Sequence, residues 1–320
     1  MIYLKPMGGL CNRMRSIDSL LSICKRSQID LTVLWVKDFS LNCSFNDLFE
    51  TPTFKEFNLR ILDCPEGYPE QFLDSSASVN LSKDGIVTVE NKTIRKIKHL
   101  LKGNFLNAEQ RRILKKIKGL AKECIITNDF LTDIYILEDI TVKEMDANFI
   151  PKAEAIYRPM LTHENTIYIS SCYRIYPLEN AYTAFTPILN IRNKIEAVTA
   201  SFQDVIGLHI RRSDHQTSKA ISTTERFAEI VETELTNNPK SRFFISTDDK
   251  ITKKELIDRH GDKVLSNMVS SYDRNNDEAI IDAGVDLFCL SRTKKIYGSH
   301  HSTFSQTASD LGGIEEITVR

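Results

Sequence analysis

No apolar run in the 320 residues approaches the roughly 18–20 needed for a helix to cross a bilayer. The opening stretch MIYLKPMGGLCNRMRS lacks the apolar core of a secretory signal and reads as a short strand running into a turn. The seven cysteines, at 11, 24, 43, 64, 124, 172 and 289, include no C-x-x-C pair, so neither a zinc ribbon nor a thioredoxin-like site is indicated. Without a signal peptide these thiols are expected to be reduced, several as core filler, and the expected compartment is the cytoplasm. An excess of positive charge is also missing. Lys and Arg number 42 against 43 Asp and Glu, for a net charge of −1, which counts against a nucleic-acid partner.

What remains is an ordinary globular composition, 41% hydrophobic and 27% charged, in a chain long enough for about two domains. Short apolar runs alternate with amphipathic stretches, which predicts an α/β protein. Ile2 to Lys5, Asp30 to Val36 and Thr166 to Tyr173 read as strands, and Cys11 to Ser27 as a helix. Pro187 to Phe202 reads as a helix with proline in its first turn. A second series follows: strands at Val205 to Ile210, Arg242 to Ser246 and Lys294 to Tyr297, with helices at Thr224 to Leu235, Ile251 to Arg259, Glu278 to Ser291 and Ser302 to Leu311. The change of texture near Ala181 to Phe185 divides the chain into 1–183 and 184–320.

Between Gly85 and Lys122 stand eleven Lys and Arg residues against Glu90 and Glu109. Two readings are open: a pair of solvated helices with basic outer faces, or a surface for an anionic partner such as a lipid-linked phosphate or a membrane leaflet. The second would make the protein peripheral at a membrane through residues 85–122.

Three constellations carry chemistry. Gly207-Leu-His209-Ile-Arg211-Arg212-Ser213-Asp214 lies where a strand runs out into a loop, the place where ligands collect in open α/β sheets. Paired arginines there suit a phosphate or diphosphate, or else form surface salt bridges. Phe243-Phe-Ile-Ser246-Thr247-Asp248-Asp249 ends a second strand in hydroxyls and carboxylates. These line the same cleft, or one of Ser246, Thr247 and Asp248 caps the next helix. The third runs from Asp286 through Gly298-Ser299-His300-His301 to Ser302-Thr303-Phe304-Ser305, where a hydroxyl-rich turn opens a helix suited to a phosphate. His300 and His301 raise a metal question, but neighbours on a strand point to opposite faces, and no acidic or cysteine partner has ligand spacing. Near the N-terminus, Gly8-Gly9-Leu-Cys-Asn12-Arg13 makes a glycine turn without the third glycine of G-x-G-x-x-G, a poor fit to a dinucleotide oxidoreductase.

The order of these motifs is more specific than any one of them. G-G-L-x-N-R, H-I-R-R-x-D, I-S-T-D-D, D-L-x-x-L-S and G-S-x-x-S-T-F-S together resemble the GDP-fucose-dependent fucosyltransferase superfamily. That superfamily includes the bacterial nodulation enzyme, core α1,6-fucosyltransferases and protein O-fucosyltransferases, and α1,2-fucosyltransferases share similar motifs. The resemblance is strong over 1–25 and 205–311 and weak between 30 and 180. It implies a GT-B fold, two Rossmann-like domains facing across a cleft, with an acceptor-side domain over 1–183 and a GDP-sugar-binding domain over 184–320. By the same resemblance Arg211 binds the diphosphate with support from Arg212, His209 contacts the nucleotide, and Asp286 meets guanine. Ser302, Thr303, Phe304 and Ser305 match the segment closing over the phosphates, Asp248 the acidic end of the middle motif, and Gly8, Gly9, Asn12 and Arg13 a turn facing the donor.

The activity implied is inverting transfer of fucose from GDP-fucose to a hydroxyl of a glycan or lipid-linked glycan, in surface polysaccharide or glycoconjugate assembly. No cofactor or metal is implied, and no D-x-D metal clamp occurs in the chain. Arginines and helix amides can stabilise the departing diphosphate directly. Core α1,6-fucosyltransferases carry a glutamate a few residues after the arginines, whereas His215 to Lys219 has no carboxylate. His215 is the candidate base, because an unperturbed histidine titrates close to neutral pH, with Asp214 a residue that orients the arginines and Asp38 a further candidate. Another GDP-sugar, a GDP-deoxyheptose or GDP-mannose, and a catalytically silent nucleotide-sugar or glycan-binding protein remain open alternatives.

Overall fold

Strands that are apolar along their whole length belong inside parallel sheets covered on both faces. β1 (Ile2–Pro6), apolar but for Lys5, and β2 (Leu31–Val36), apolar but for Thr32, come close to that character, and every residue of β2 is buried. A computed structural model describes residues 1–68, 77–81, 87–91, 106–119, 125–126, 167–172, 174, 181–213, 216–273 and 275–320. It divides the chain into Met1–Phe45 with Thr51–Asn180, here unit 1, and Asn46–Glu50 with Ala181–Arg320, here unit 2.

In unit 1, β1 leads through a glycine turn into α1 (Leu10–Ser27), which returns to β2. Lys25 and Arg26 in the last turn of α1 complement its dipole, and Gln28 ends it in the left-handed conformation. β3 (Leu59–Cys64), β6 (Ile125–Ile126) and β7 (Ile167–Ser171) complete a parallel sheet in the order β3-β2-β1-β7-β6. An antiparallel pair, β4 (Ala77–Leu81) and β5 (Val87–Asn91), and the helix α2 (Ala108–Gly119) lie between β3 and β6 in sequence.

Unit 2 repeats the plan. α3 (Leu189–Thr199) precedes β8 (Ile206–Ile210), followed by α4 (Gln216–Ile221), α5 (Thr224–Asn237), β9 (Phe243–Thr247), α6 (Lys250–His260) and β10 (Val264–Ser266). Then come α7 (Asp277–Leu290), β11 (Lys295–Ser299), α8 (Thr303–Gly312) and β12 (Glu315–Val319). The sheet is parallel in the order β10-β9-β8-β11-β12. β8 and β9 are buried at every position, and Leu208, Ile210 and Ile245 pack on Phe227 and Val231 of α5 and Leu256 of α6. The segment 46–50 is stitched to this unit: the Ile188 amide bonds to the Leu48 carbonyl at 3.1 Å, and the Phe49 ring lies 5.2 Å from Phe185 and 6.4 Å from Phe288.

Several expectations are corrected. The basic stretch does not begin with a helix, because Val87–Asn91 is a strand; V-T-V-E-N alternates with period two, which overrides the charge count that suggested paired helices. Residues 92–105 and 120–124 lie outside the described residues. Pro187 is not in the first helical turn. It sits before the N-cap Ile188 in a bridge with Phe49, so the proline closes a packing contact instead of starting the helix. The cap of α6 is Asp249, whose carboxylate accepts from the Thr252 amide at 2.7 Å, since β9 runs on through Thr247 and delays the helix. His300 and His301 do not point apart: β11 stops at Ser299, His301 takes a positive φ, and the two rings approach to 3.9 Å.

Candidate functional site

The carboxyl ends of β8, β9 and β11 bring three of the sequence motifs together. The Arg211 amide donates to the Ser299 hydroxyl at 3.0 Å, tying the end of β8 to that of β11. The Arg212 amide donates to Asp248 Oδ1 at 2.6 Å, and Ser213 donates to Oδ2 from its amide at 3.2 Å and from its hydroxyl. Asp248 therefore clamps the loop that carries the arginines to the end of β9. The Arg212 guanidinium is bonded to the Ser222 carbonyl and, at 3.2 Å, to the Thr224 hydroxyl. Its donors are directed into the protein, which fits a supporting part. Arg212, Lys219, Thr223, Thr224 and Asp249 line an open depression beside it. Asp214 and His215 lie outside the described residues.

His209 is buried on β8, stacked on Phe304 at 4.8 Å with an 18° interplanar angle, and shares a 3.1 Å hydrogen bond from Nδ1 with the Ser302 hydroxyl. Burial drives its pKa down to about 4, against the pull of Asp248 and with the push of Arg211, so the ring is neutral at physiological pH. Ser302 is the N-cap of α8, but with its hydroxyl turned to His209 it makes no side-chain cap. The first amides of α8 are thereby left to an external acceptor. Ser305 is fully buried and donates its hydroxyl back to the Ser302 carbonyl at 3.2 Å, so its contribution to a ligand is limited to its amide. α8 lies tight against β11: a Cβ on Gly298 would come within 2.5 Å of Ser305 Oγ and of Glu316 Oε1.

Asp286 is buried on α7, one turn beyond Asp282, and its Oδ1 has no hydrogen-bond partner among the described residues. Burial raises its carboxyl to about 6; Lys253 is the largest opposing influence, followed by the hydroxyl of Ser246 and the amide of Asn267, while Asp282 adds to the rise. Asn267 Nδ2 is likewise a buried atom with no bond of good geometry among those residues. The Asn267 amide and the Asp286 carboxylate thus face one another in a buried polar place, without a bond of good geometry between these two atoms. Lys253, Asn267 and Asp282 were missed by sequence reasoning. The available signal was the i, i+4 spacing of two aspartates on an otherwise apolar helix, which sets both on one face.

The glycine turn of unit 1 is built by its own demands. Gly8 has φ +77°, and a Cβ there would meet Asn12 Nδ2 at 2.8 Å, so only glycine fits. Arg13 is fully buried, donating to the Gly8 carbonyl at 2.8 Å, to the Val36 carbonyl, and to Asp38 at 2.9 Å, with its guanidinium 5.1 Å from the Trp35 ring. Asp38 also accepts from the amides of Ser40 at 2.9 Å and Leu41 at 3.2 Å. These bonds occupy Arg13 and Asp38 in holding the ends of β1 and β2. Gly9 is the N-cap of α1, and Asn12 Oδ1 is a buried atom with no partner among the described residues. No group of three or more His, Cys, Asp or Glu is placed to hold a metal ion among the described residues. Nor, among them, is any helix long and apolar enough to cross a membrane.

These two parallel sheets with flanking helices define a two-unit α/β fold of the Rossmann-like, GT-B kind. The fold is similar to that of the α-1,6-fucosyltransferase NodZ, known from Bradyrhizobium. A NodZ crystal soaked with GDP-fucose matches at 15% identity over 97% of this chain and 92% of that one, with a TM-score of 0.52. A variant of Arabidopsis thaliana FUT1 in complex with GDP matches at 12% identity over 99% of this chain and 69% of its own, TM-score 0.53. POFUT1 in complex with GDP matches at 10% identity over 99% and 98%, TM-score 0.50. No protein-family model and no curated protein sequence matches the chain.

Proposed function

We propose that the protein is a glycosyltransferase that moves fucose from GDP-fucose to a hydroxyl of a glycan acceptor, with inversion and without a metal ion. What supports this reading is the junction in unit 2 of Arg211, at the end of β8, with Ser299, at the end of β11 just before the uncapped N-terminus of α8; the buried Asp286 carboxylate on α7 is taken to meet the base. Each suits one part of a GDP-sugar. Guanine presents two adjacent N–H donors, at N1 and the 2-amino group, and a carboxylate can accept both. A diphosphate suits the Arg211 guanidinium and the first amides of α8.

The chemistry follows from where charge develops. When the acceptor oxygen attacks the sugar, the bond to the diphosphate breaks and negative charge grows on the leaving group. Fixed positive groups already facing that place lower the barrier without reorganising. Ser299 and Asp248 hold the backbone amides of Arg211 and Arg212, respectively, and His209, neutral and stacked on Phe304, sets the wall between β8 and α8. In this reading His215 takes the proton of the acceptor hydroxyl and Asp214 orients the arginines. Gly8, Gly9, Asn12 and Arg13 form a turn that serves the donor, and residues 1–183 receive the acceptor, a glycan or lipid-linked glycan of a surface polysaccharide. The place of action is the cytoplasm, with the basic stretch 85–122 at the inner face of a membrane.

A thermal-shift panel with GDP, ADP, UDP and NAD, with and without EDTA, tests the donor. A ligand at one hundred times its Kd stabilises the native state by about 2.7 kcal/mol. GDP alone should do so, with EDTA making no difference, and GDP-fucose should then be consumed only when an acceptor glycan is supplied. Stabilisation by UDP or NAD, or by nothing in the panel, would overturn the reading.

A further inference from the structure

Four of the residues in α6 are lysine or arginine, and three of them, Lys250, Lys254 and Arg259, are exposed. The fourth, Lys253, is only 9% exposed, on the face that also buries Thr252 and Leu256. Removing an ammonium from water is costly unless the protein replaces its lost partners. Its Nζ donates to the Asn267 carbonyl at 2.6 Å, which anchors the first residue of the 267–273 loop. That loop is fastened a second time by Asp282, which accepts from the Ser270 amide and hydroxyl, both at 2.8 Å. The side chains of Asn267 and Asp286 are buried beside these two fastenings, Asp286 Oδ1 without a hydrogen-bond partner among the described residues.

We infer that Lys253 is a positioning residue for Asn267 and Asp286: it fixes the 267–273 loop through the Asn267 carbonyl and brings a buried ammonium to the place where the Asp286 carboxylate can accept paired N–H donors from a nucleotide base. The inference rests on the assignment of Asp286 to the guanine of the donor. The charged and titratable groups acting on Asp286 are Lys253 from α6, Asp282 and Cys289 from its own helix, and Tyr272 from the loop, with Lys194 of α3 held 3.4 Å from Asp282. Burial and Asp282 favour the protonated acid, whereas Lys253 is the largest influence on the other side. Without the ammonium, Asp286 gains a proton near neutral pH. One of its two acceptors then becomes a donor, which a base edge bearing N–H groups repels.

The test is calorimetric binding of GDP, inosine diphosphate and ADP to the full chain from acid to neutral pH. Wild-type protein should favour GDP over both others and lose that preference as pH falls through the titration of Asp286. Lys253→Met should move the acid limb up by about one unit, as loss of a neighbouring opposite charge requires, and, because it also frees the 267–273 loop, weaken GDP about tenfold at neutral pH. Lys253→Arg should stay within about threefold of wild type, because the charge is kept. Asp282→Asn should move the limb the other way, toward lower pH, and carries the test with Lys253→Arg if the methionine variant does not fold. A Lys253→Met protein with an unshifted limb and intact base preference would overturn the inference, as would an Asp282→Asn limb that stays put or rises. A wild-type protein with no preference for GDP over ADP would instead overturn the guanine assignment beneath it.

Discussion

In unit 1 the guanidinium at the first turn, Arg13, gives its donors to two carbonyls and Asp38, and the buried carboxylate of Asp18 is met by Arg174 at 2.8 Å. In unit 2 the buried charges are arranged differently. Asp286 keeps an open oxygen, His209 is held neutral, and the serine at the head of α8 is drawn away from its capping position. Both units present the ends of parallel strands, so topology alone does not separate them. What separates them is where polar valence is spent: inward, on holding strand ends together, or left open beside cationic groups. Among the described residues unit 1 also has buried polar atoms of this kind, the side-chain oxygen of Asn12 beside the glycine turn among them. The contrast is therefore sharpest between the arginines, and mutation can weigh them against one another.

Arg13→Met should give the largest effect, and it should be an effect on folding. The change leaves the Gly8 and Val36 carbonyls without a donor and Asp38 without its cation, a loss of about 3–4 kcal/mol in stability. Urea denaturation measures it, and a loss below about 1 kcal/mol would mean that the buried guanidinium is not the clamp described.

Arg211→Ala should show the opposite pattern. Its backbone amide bond to Ser299 survives the substitution, so the loss of stability should be smaller than that of Arg13→Met. The affinity for GDP should fall roughly a hundredfold, the value of a lost charge-assisted contact to a diphosphate. If calorimetry finds GDP binding unchanged while the fold weakens, the two arginines have been assigned the wrong way round.

The sequence made the strands and helices around the site legible because their signals are local. β8 and β9 are apolar runs, α7 and α8 carry helical spacing, and the motifs sit at their ends. β10, β12 and α4 were not read. α4 is too short to show a period, and β12, Glu315–Val319, carries two charges at its start and resembles a tail. The site was half legible for a related reason. His209 and Arg211 stand in one motif and Ser302 in another, whereas the surroundings of Asp286 draw on β9, α6, the 267–273 loop and α7. Nothing in the local spacing of K-K-E-L says that Lys253 is the lysine facing inward. Its partner is a backbone carbonyl fourteen residues away, which no residue type reveals.

The smallest effect concerns pH and separates the two buried titratable groups of unit 2. Asp286 titrates near 6 in the folded protein against about 3.8 when exposed, so between those values the native state holds a proton that the unfolded chain has lost. Stability from this group therefore falls as pH rises through that window. His209 does the reverse: it titrates near 4 when folded and near 6.5 when exposed, so the unfolded chain binds the extra proton and stability falls as pH drops through the window. In the wild-type protein the two slopes oppose each other between pH 4 and 6. Asp286→Asn should remove one slope and leave a protein more stable than wild type above pH 7, an advantage that fades toward pH 4. His209→Phe keeps a ring against Phe304 and should shift the balance the other way, so that its stability relative to wild type improves as pH falls from 6.5 to 4. Denaturation curves at three pH values decide the matter. Parallel profiles for the two variants would show that neither group is held away from its ordinary protonation, and that the open carboxylate of unit 2 is as solvated as a surface one.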